Sequence, residues 1–373
     1  MNLTKSSSEF VNFAESNFVL IFPKKQAFSV SRQNHRKPLI SGRHSVLLCT
    51  FFPSHRAIHL CYNKIQNKQS LLRGLFPLLM LAAEGAATMA KHPRNRRPFR
   101  LLRRLMLAVL LLGGFLWWSN ASLETASFDL TFADLPAGFD GCRAVVLSDL
   151  HTAEFGPANQ QLLDAVQAES PDYIFLTGDL LDQYRPVPED YVETLADALT
   201  AIAPTYYVTG NHEWALGGVP ALKELLSAHG VTLLTNRSLP LERGGDTIIL
   251  AGIDDPNGYA DQKSPETVAA EVYAAHGDPF WVLLAHRNDR FESQYSLLGA
   301  DLVISGHAHG GIIRLPFLGG LISHDLELFP DYTAGLYEAN GSALFVSRGL
   351  GNSGASFRLF NRPEVAVLTL HKG

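Results

Sequence analysis

Five short apolar runs each end in a block of Asp, His, Asn and Gly, and that coupling restricts the fold more than any other feature of the chain. Ala144-Val145-Val146-Leu147 runs into Asp149-Leu150-His151, and Tyr173-Ile174-Phe175-Leu176 into Gly178-Asp179-Leu180-Leu181-Asp182. Tyr206-Tyr207-Val208 precedes Gly210-Asn211-His212-Glu213, Trp281-Val282-Leu283-Leu284 precedes His286, and Leu302-Val303-Ile304 precedes Gly306-His307-Ala308-His309. Runs this short, rich in β-branched or aromatic residues and bounded by turn residues, read as buried strands. Ligands in layered α/β folds collect where strands deliver their carboxyl ends, so five strands would bring these polar blocks to one rim.

The donors on that rim suit divalent metals. Carboxylate, imidazole and amide oxygen without thiolate favour manganese, iron or zinc over copper(I) or an iron–sulfur centre. Alternate residues of an extended segment point the same way, so Asp149 and His151 can reach one ion, and His307 and His309 repeat the spacing. One carboxylate can hold two cations about 3.5–4 Å apart, and Asp179 is the natural bridge. Taken singly, Asp-x-His is more often a turn or a helix cap. All five blocks in order, each behind a strand, point to a two-metal hydrolytic site with one histidine left off the metals.

Between the runs, apolar residues at three- and four-residue spacing predict helices over 159–169, 188–202, 219–228 and 265–275. Gly244-Gly245 between 239–243 and 248–253 predicts a hairpin, and 343–346, 357–360 and 365–370 read as strands. The expected fold is α/β, a two-sheet β-sandwich flanked by helices, in one catalytic domain over 122–373.

The blocks read D-x-H, G-D-x-x-D, G-N-H-E, H and G-H-x-H, and over residues 140–310 their order resembles the calcineurin-like metallophosphoesterase superfamily. The tail through Arg314-Leu315-Pro316-Phe317, Tyr337 and Ser347-Arg348-Gly349-Leu350-Gly351 resembles its membrane-associated bacterial branch, which includes enzymes similar to UDP-diacylglucosamine hydrolases. The resemblance implies one metal on Asp149, His151, Asp179 and His309, and another on Asp179, Asn211, His286 and His307. It implies that His212 sits beside the scissile phosphate, stabilising charge or protonating the leaving oxygen, with Asp182 orienting it. The implied activity is metal-dependent hydrolysis of a phosphodiester or pyrophosphate bond in a membrane-proximal or envelope substrate, lipid-linked phosphates included. Two other readings remain open: a cytoplasm-facing UDP-diacylglucosamine-type pyrophosphatase, and a non-catalytic metal-binding envelope protein. Protein phosphatases of the superfamily carry Arg-Gly where Gln183-Tyr184 follow Asp182, and Gly where Thr152 follows His151, which argues against a phosphoprotein phosphatase. Ile312 stands where the membrane-associated branch often has Gln.

Charge is distributed unevenly. Of 31 basic and 36 acidic residues, eleven and three precede Met89, and residues 89–118 hold seven basic residues and no acid. That leaves 13 basic and 33 acidic residues, a net of −20, for 119–373. So acidic a domain repels polyphosphate backbones, and no nucleic-acid partner is expected. Lys91, Arg94, Arg96, Arg97, Arg100, Arg103 and Arg104 lead into the apolar stretch 105–118, a pattern of signal-peptide or short-anchor length. The positive flank belongs in the cytoplasm, which predicts a single-pass protein of a bacterial cell membrane with its catalytic domain outside and Trp117 and Trp118 at the outer interface. Ser119-Asn120-Ala121 could serve as a cleavage site, but the expectation is an uncleaved signal anchor within 89–121.

Residues 1–88 show no sustained period, and Met89 is followed at once by the basic region. The expectation is that translation starts at Met89 and that 1–88 is an upstream translation, or else a disordered leader. Cys142 alone of the three cysteines lies in the catalytic domain, so no internal disulfide is available there, and the thiol reads as packed. Arg287 and Arg348 are candidates for phosphate oxygens. Asp254, Asp255, His324 and Asp325 are candidates for substrate contacts, with plain turns as the alternative.

Overall fold

The computed structural model describes residues 96–373 apart from 259–261, 324–326 and 355–356, with side chains from residue 99. The expectations for 1–88, His324 and Asp325 lie outside those residues. One sheet holds β1 (Glu124–Phe132), β2 (Cys142–Leu147), β3 (Tyr173–Thr177), β4 (Thr205–Val208), β5 (Thr232–Leu233) and β14 (Glu364–Lys372), in the order β1-β14-β2-β3-β4-β5. The other holds β6 (Arg237–Arg243), β7 (Asp246–Ile253), β8 (Trp281–Arg287), β9 (Leu302–Gly306), β12 (Gly335–Ala339) and β13 (Ser342–Val346), in the order β12-β13-β9-β8-β7-β6. β10 (Ile313–Leu315) and β11 (Gly319–Ile322) make a separate hairpin. The helices are α1 (Arg96–Ala121), α2 (Gln160–Ala168), α3 (Tyr191–Ile202), α4 (Asn211–Leu216), α5 (Val219–Ala228) and α6 (Pro265–His276).

The side-chain period of a strand explains the layering. In β2, Ala144 and Val146 face the other sheet, while Val145 and Leu147 pack under the helices. β3 repeats this, with Phe175 inward and Ile174 and Leu176 outward. In the second sheet Val282, Leu284 and Ile304 point inward, and Leu283, Ala285 and Val303 pack outward around α6. Parallel strands such as β2–β3–β4 and β7–β8–β9 are buried on both faces, which is why their sequences are unbroken apolar runs. The result is the expected two-sheet α/β sandwich with helices outside. Residues 357–360 differ from expectation: among them Leu359 makes one isolated bridge to Ile313 and no strand forms.

The apolar run of α1 from Leu105 to Trp118 is 14 residues. At about 1.5 Å per residue it reaches roughly 21 Å, against a hydrocarbon core of about 30 Å. Among the described residues no helix is long and apolar enough to cross a membrane. Leu105, Leu107, Leu110, Leu111 and Leu112 are nevertheless exposed. The C-terminal end of α1 is fastened to the domain: Phe115 meets Phe360 at 5.0 Å, and the Arg362 guanidinium lies 5.0 Å from the Trp118 ring centroid.

Phe345 is fully buried between the sheets, 4.9 Å from Phe128 across the interlayer space. Phe345→Ala is expected to cost about 3–5 kcal/mol in equilibrium urea unfolding. A cost below about 1 kcal/mol would mean that the two sheets do not pack through this ring.

Candidate metal centre

The five blocks meet at one rim, and both sheets contribute. β2 leads through Ser148 into Asp149 and His151, β3 into Gly178 and Asp179, and β4 through Gly210 into α4, which carries Asn211, His212 and Glu213. The second sheet supplies His286 near the end of β8, and His307 and His309 just past β9. Ligand atoms of Asp149, His151, Asp179 and His309 lie within 4.8 Å of one another, as do those of Asp179, His286 and His307. Asp179 belongs to both groups. Asn211 joins the second, with its Oδ1 3.2 Å from His286 Nε2. Beside them His212 Nδ1 lies 3.3 Å from Asp182 Oδ1, and the His212 ring stands 4.5 Å from that of His151.

Backbone geometry departs from the extended alternation expected of D-x-H. Asp149, His151, Asp179, His307 and His309 have φ of 50°, 48°, 52°, 67° and 50°. Left-handed backbone costs an ordinary residue about 1–2 kcal/mol. Its concentration at ligand positions marks turns shaped to aim side chains rather than to stabilise the chain. Hydrogen bonds hold those turns in place. His307 N donates to both oxygens of Asp149, at 3.0 and 3.1 Å, and His212 N donates to Asp179 Oδ1 at 2.8 Å. A Cβ on Gly210 would collide with Asp179, so glycine is what lets the two blocks close up.

The donor set fits a pair of divalent ions. The Nε2 atoms of His151 and His309 face each other at 3.0 Å, a spacing in which at most one can carry a proton. His286 Nδ1 lies 2.8 Å from Thr177 O; a carbonyl can only accept, so Nδ1 carries the proton and Nε2 is aimed at Asp179 Oδ2, 3.2 Å away. Burial, reinforced by His309, pulls His151 well below the ordinary imidazole range, and burial with His286 and Arg287 does the same to His307. Neutral imidazoles are the form that binds metal.

Residues 142–311 match the model of the calcineurin-like phosphoesterase family. Those residues carry a calcineurin-like phosphoesterase domain. It is 29% identical over 259 residues to the uncharacterized metallophosphoesterase YkuE of Bacillus subtilis, covering 66% of this chain and 85% of that protein. A second B. subtilis relative, the uncharacterized metallophosphoesterase YkoQ, is 27% identical over 269 residues, 70% of this chain and 96% of that one. A transmembrane protein with metallophosphoesterase domain from Danio rerio is 28% identical over 287 residues, 72% of this chain and 62% of that protein.

Residues outside the expected ligand set also hold the site in shape. Glu213 is fully buried, and its carboxylate accepts from Asp179 N, Leu181 N and Gly210 N at 3.0, 2.9 and 2.7 Å. Burial and then Asp179 push its pKa up to about 7. Glu213 closes the Gly210-Asn211-His212-Glu213 block, where its presence is legible but its bracing of three N–H groups is not. Arg358 is buried and hydrogen-bonds Gly351 O and Arg348 O, both at 2.6 Å, with a guanidinium nitrogen 3.3 Å from His309 Nδ1. Ser353 Oγ lies 3.3 Å from His212 Nε2. Arg358 falls within the expected strand 357–360 and Ser353 before it, and neither stands in a motif that marks a role at the site.

The two arginine candidates separate. Arg287 Nε pairs with Asp255 at 2.9 Å and its Nη1 is 3.4 Å from His307 Nε2, which keeps it at the rim. Arg348 instead ties Glu364 at 2.6 Å and Glu124 at 3.2 Å, bracing β14 to β1. Asp254 pairs with Lys223 at 2.5 Å and accepts from Thr209, a structural knot. Cys142 is buried, and burial with Asp172 pushes its thiol up to about 12, which suits packing and not nucleophilic attack.

Two outcomes are expected. Burial alone would lower His286, but the charge and hydrogen bond of Asp179 lift it to about 10. Burial likewise opposes the charge on Asp179, yet His286 holds that carboxyl below its usual range. Without a metal, the Asp179 carboxylate therefore favours a proton on His286 through the neutral range, and an entering cation must displace it. Cation affinity should rise about tenfold per pH unit through the neutral range, with about one proton released per binding event. Calorimetry of the metal-stripped chain in buffers of different ionisation heat measures both, and a pH-independent affinity would contradict the pairing. Gly210→Ala should lose metal loading, read as metal per chain by mass spectrometry, because the added methyl occupies the place of the Asp179 carboxylate.

Proposed function

We propose that this phosphoesterase hydrolyses a phosphodiester or pyrophosphate bond with two divalent ions that share Asp179. The observation that carries the reading is the pair of ligand groups joined at Asp179, with His212 in neither of them but grouped with His151 and Asp182 beside them. Asp149, His151, Asp179 and His309 would hold one ion, and Asp179, Asn211, His286 and His307 the other. Bound there, the ions supply Lewis acidity and a water of lowered pKa. The chain does the rest. His212 points Nε2 towards Ser353 Oγ, so a leaving-group oxygen entering between them meets a proton carrier. Asp182 steadies the other face of the imidazole and is itself held by Tyr184 N and Gly354 N, each at 3.1 Å. Arg287 beside His307 adds fixed positive charge where a phosphate would dock.

In this reading the substrate is an envelope or lipid-linked phosphate, and the protein sits in a bacterial cell membrane with the catalytic domain outside. Support comes from the seven basic residues before the apolar run of α1 and from the similarity to a transmembrane protein with metallophosphoesterase domain. A short apolar run can be accommodated by local bilayer thinning and by snorkelling of flanking arginines such as Arg103 and Arg104.

The test uses the full chain in detergent, stripped and reloaded with manganese, on an aryl phosphodiester and its monoester. Diester cleavage should exceed monoester cleavage, and His212→Ala should lower it by about 10²–10⁴-fold with metal content unchanged. Loaded wild-type protein that cleaves neither ester would favour the non-catalytic reading. A topology reporter fused after Gly373 decides orientation, and a cytoplasmic signal would point to the cytoplasm-facing pyrophosphatase.

A further inference from the structure

Beyond the last metal block the chain leaves the rim through β10 and β11, and the turn between them lifts two large apolar side chains into solvent. Phe317 is 107% exposed and Leu318 68%. Ile322 bridges Leu328, and Phe329 N donates to Leu321 O at 2.9 Å, so Leu328 and Phe329, 65% and 61% exposed, ride on the same hairpin. On the other side Ile313 bridges Leu359, with Arg314 N to Leu359 O at 3.0 Å. The next residue, Phe360, is half exposed and packs on Phe115 of α1. The exposed apolar side chains therefore continue through one bonded framework from the hairpin to the leucine-rich surface of α1.

We propose that this ledge is a lipid-binding surface, with Phe317, Leu318, Leu328 and Phe329 entering the headgroup boundary of an anionic bilayer and holding the metal rim at headgroup depth. The inference deepens the membrane reading above and rests on it. Three observations select a bilayer over another protein. First, Phe317 and Leu318 stand in solvent on the turn between β10 and β11, which suits a fluid surface without a fixed mould. Second, Phe317 and Phe329 have φ of 69° and 55°, a region where an exposed turn would favour glycine or asparagine. Packing within the protein does not account for large apolar side chains there, since both are exposed. Third, the ledge is continuous with α1, whose apolar run is preceded by seven basic residues and no acid from residue 89 on, the complement of anionic headgroups.

The hairpin is also wired to the metal rim. Ile313 follows His309 by four residues, and Arg314 Nη1 donates to Gly310 O at 2.8 Å. Side chains of an interfacial element reach roughly 5–10 Å into the boundary. Seating the hairpin there lets the rim meet a phosphate still attached to its membrane anchor. The substrate class that follows is a phosphate ester of an amphiphile, hydrolysed without extraction from the lipid.

The test places a polarity-sensitive fluorophore at Phe317→Cys, and separately at Leu318→Cys, in the full chain with Cys49 and Cys61 changed to serine; the buried Cys142 stays unlabelled. Vesicles of phosphatidylethanolamine and phosphatidylglycerol carry bromine on the upper acyl chain as quencher. The expected result is a blue shift and loss of fluorescence at both positions, and neither at a label on Glu224 of α5, at the edge of the first sheet opposite β1. Vesicle-bound protein with unquenched labels at 317 and 318 would overturn the proposal. So would a shift that appears without vesicles as protein concentration rises, which would assign the ledge to a second copy of the chain. The readout needs no activity, so a protein that docks yet cleaves no ester refutes the enzymatic reading and leaves the lipid surface standing.

Discussion

The Asp179 carboxylate is the joint on which the two halves of the sandwich converge. It is buried, and burial resists its charge, so its ionised form depends on imidazoles brought from elsewhere. His151 approaches from its own sheet and His286 from the other, at 3.6 and 3.2 Å from the same oxygen. A charged group placed at the seam between two sheets makes their spacing part of its own solvation. The interlayer core and the polar rim are therefore one construction, and the large aromatic residues between the sheets set how closely the ligands meet.

Around that joint the backbone accepts conformations that local preference disfavours. Left-handed residues alternate with glycines that allow near contact, and Glu213 collects the N–H groups those turns leave unpaired. Fixed hydrogen bonds thereby offset turn strain and hold the ligand side chains in place. The same logic explains Arg358, a buried cation satisfied by carbonyls and not by a carboxylate; burial lowers it to about 10, and the geometry of its loop is what it secures.

Much of this was legible in the sequence where burial is two-sided. The strands ahead of Asp149, Asp179, Asn211, His286 and His307 are unbroken apolar runs because helices cover one face and the facing sheet the other, and all five form. The helices at 219–228 and 265–275 were readable from spacing alone. β1 escaped because Glu124–Phe132 alternates buried and exposed residues at an edge, with polar and aromatic types mixed. Residues 357–360 looked like a strand by composition but serve as a clip between the hairpin and α1. In the site, the residues with metal-binding side chains announced themselves. Those that position others were not readable as such: Glu213 stood in a block without its bracing role, and Ser353 and Arg358 meet main-chain atoms and histidines far away in sequence.

The junction between α1 and the domain has one more consequence. Asn120 donates to Arg358 O at 2.9 Å and accepts from Arg358 N at 2.7 Å, while Asn352 Nδ2 reaches its oxygen at 3.1 Å. The last turn of the apolar helix is thus a clasp on the loop that presents Ser353 to His212 and Arg358 to His309. A cut after Ala121 would remove the clasp together with the helix. The remaining domain would carry an untied loop beside His212 and His309, so the packing of the apolar helix and the shape of the candidate metal centre depend on the same asparagine.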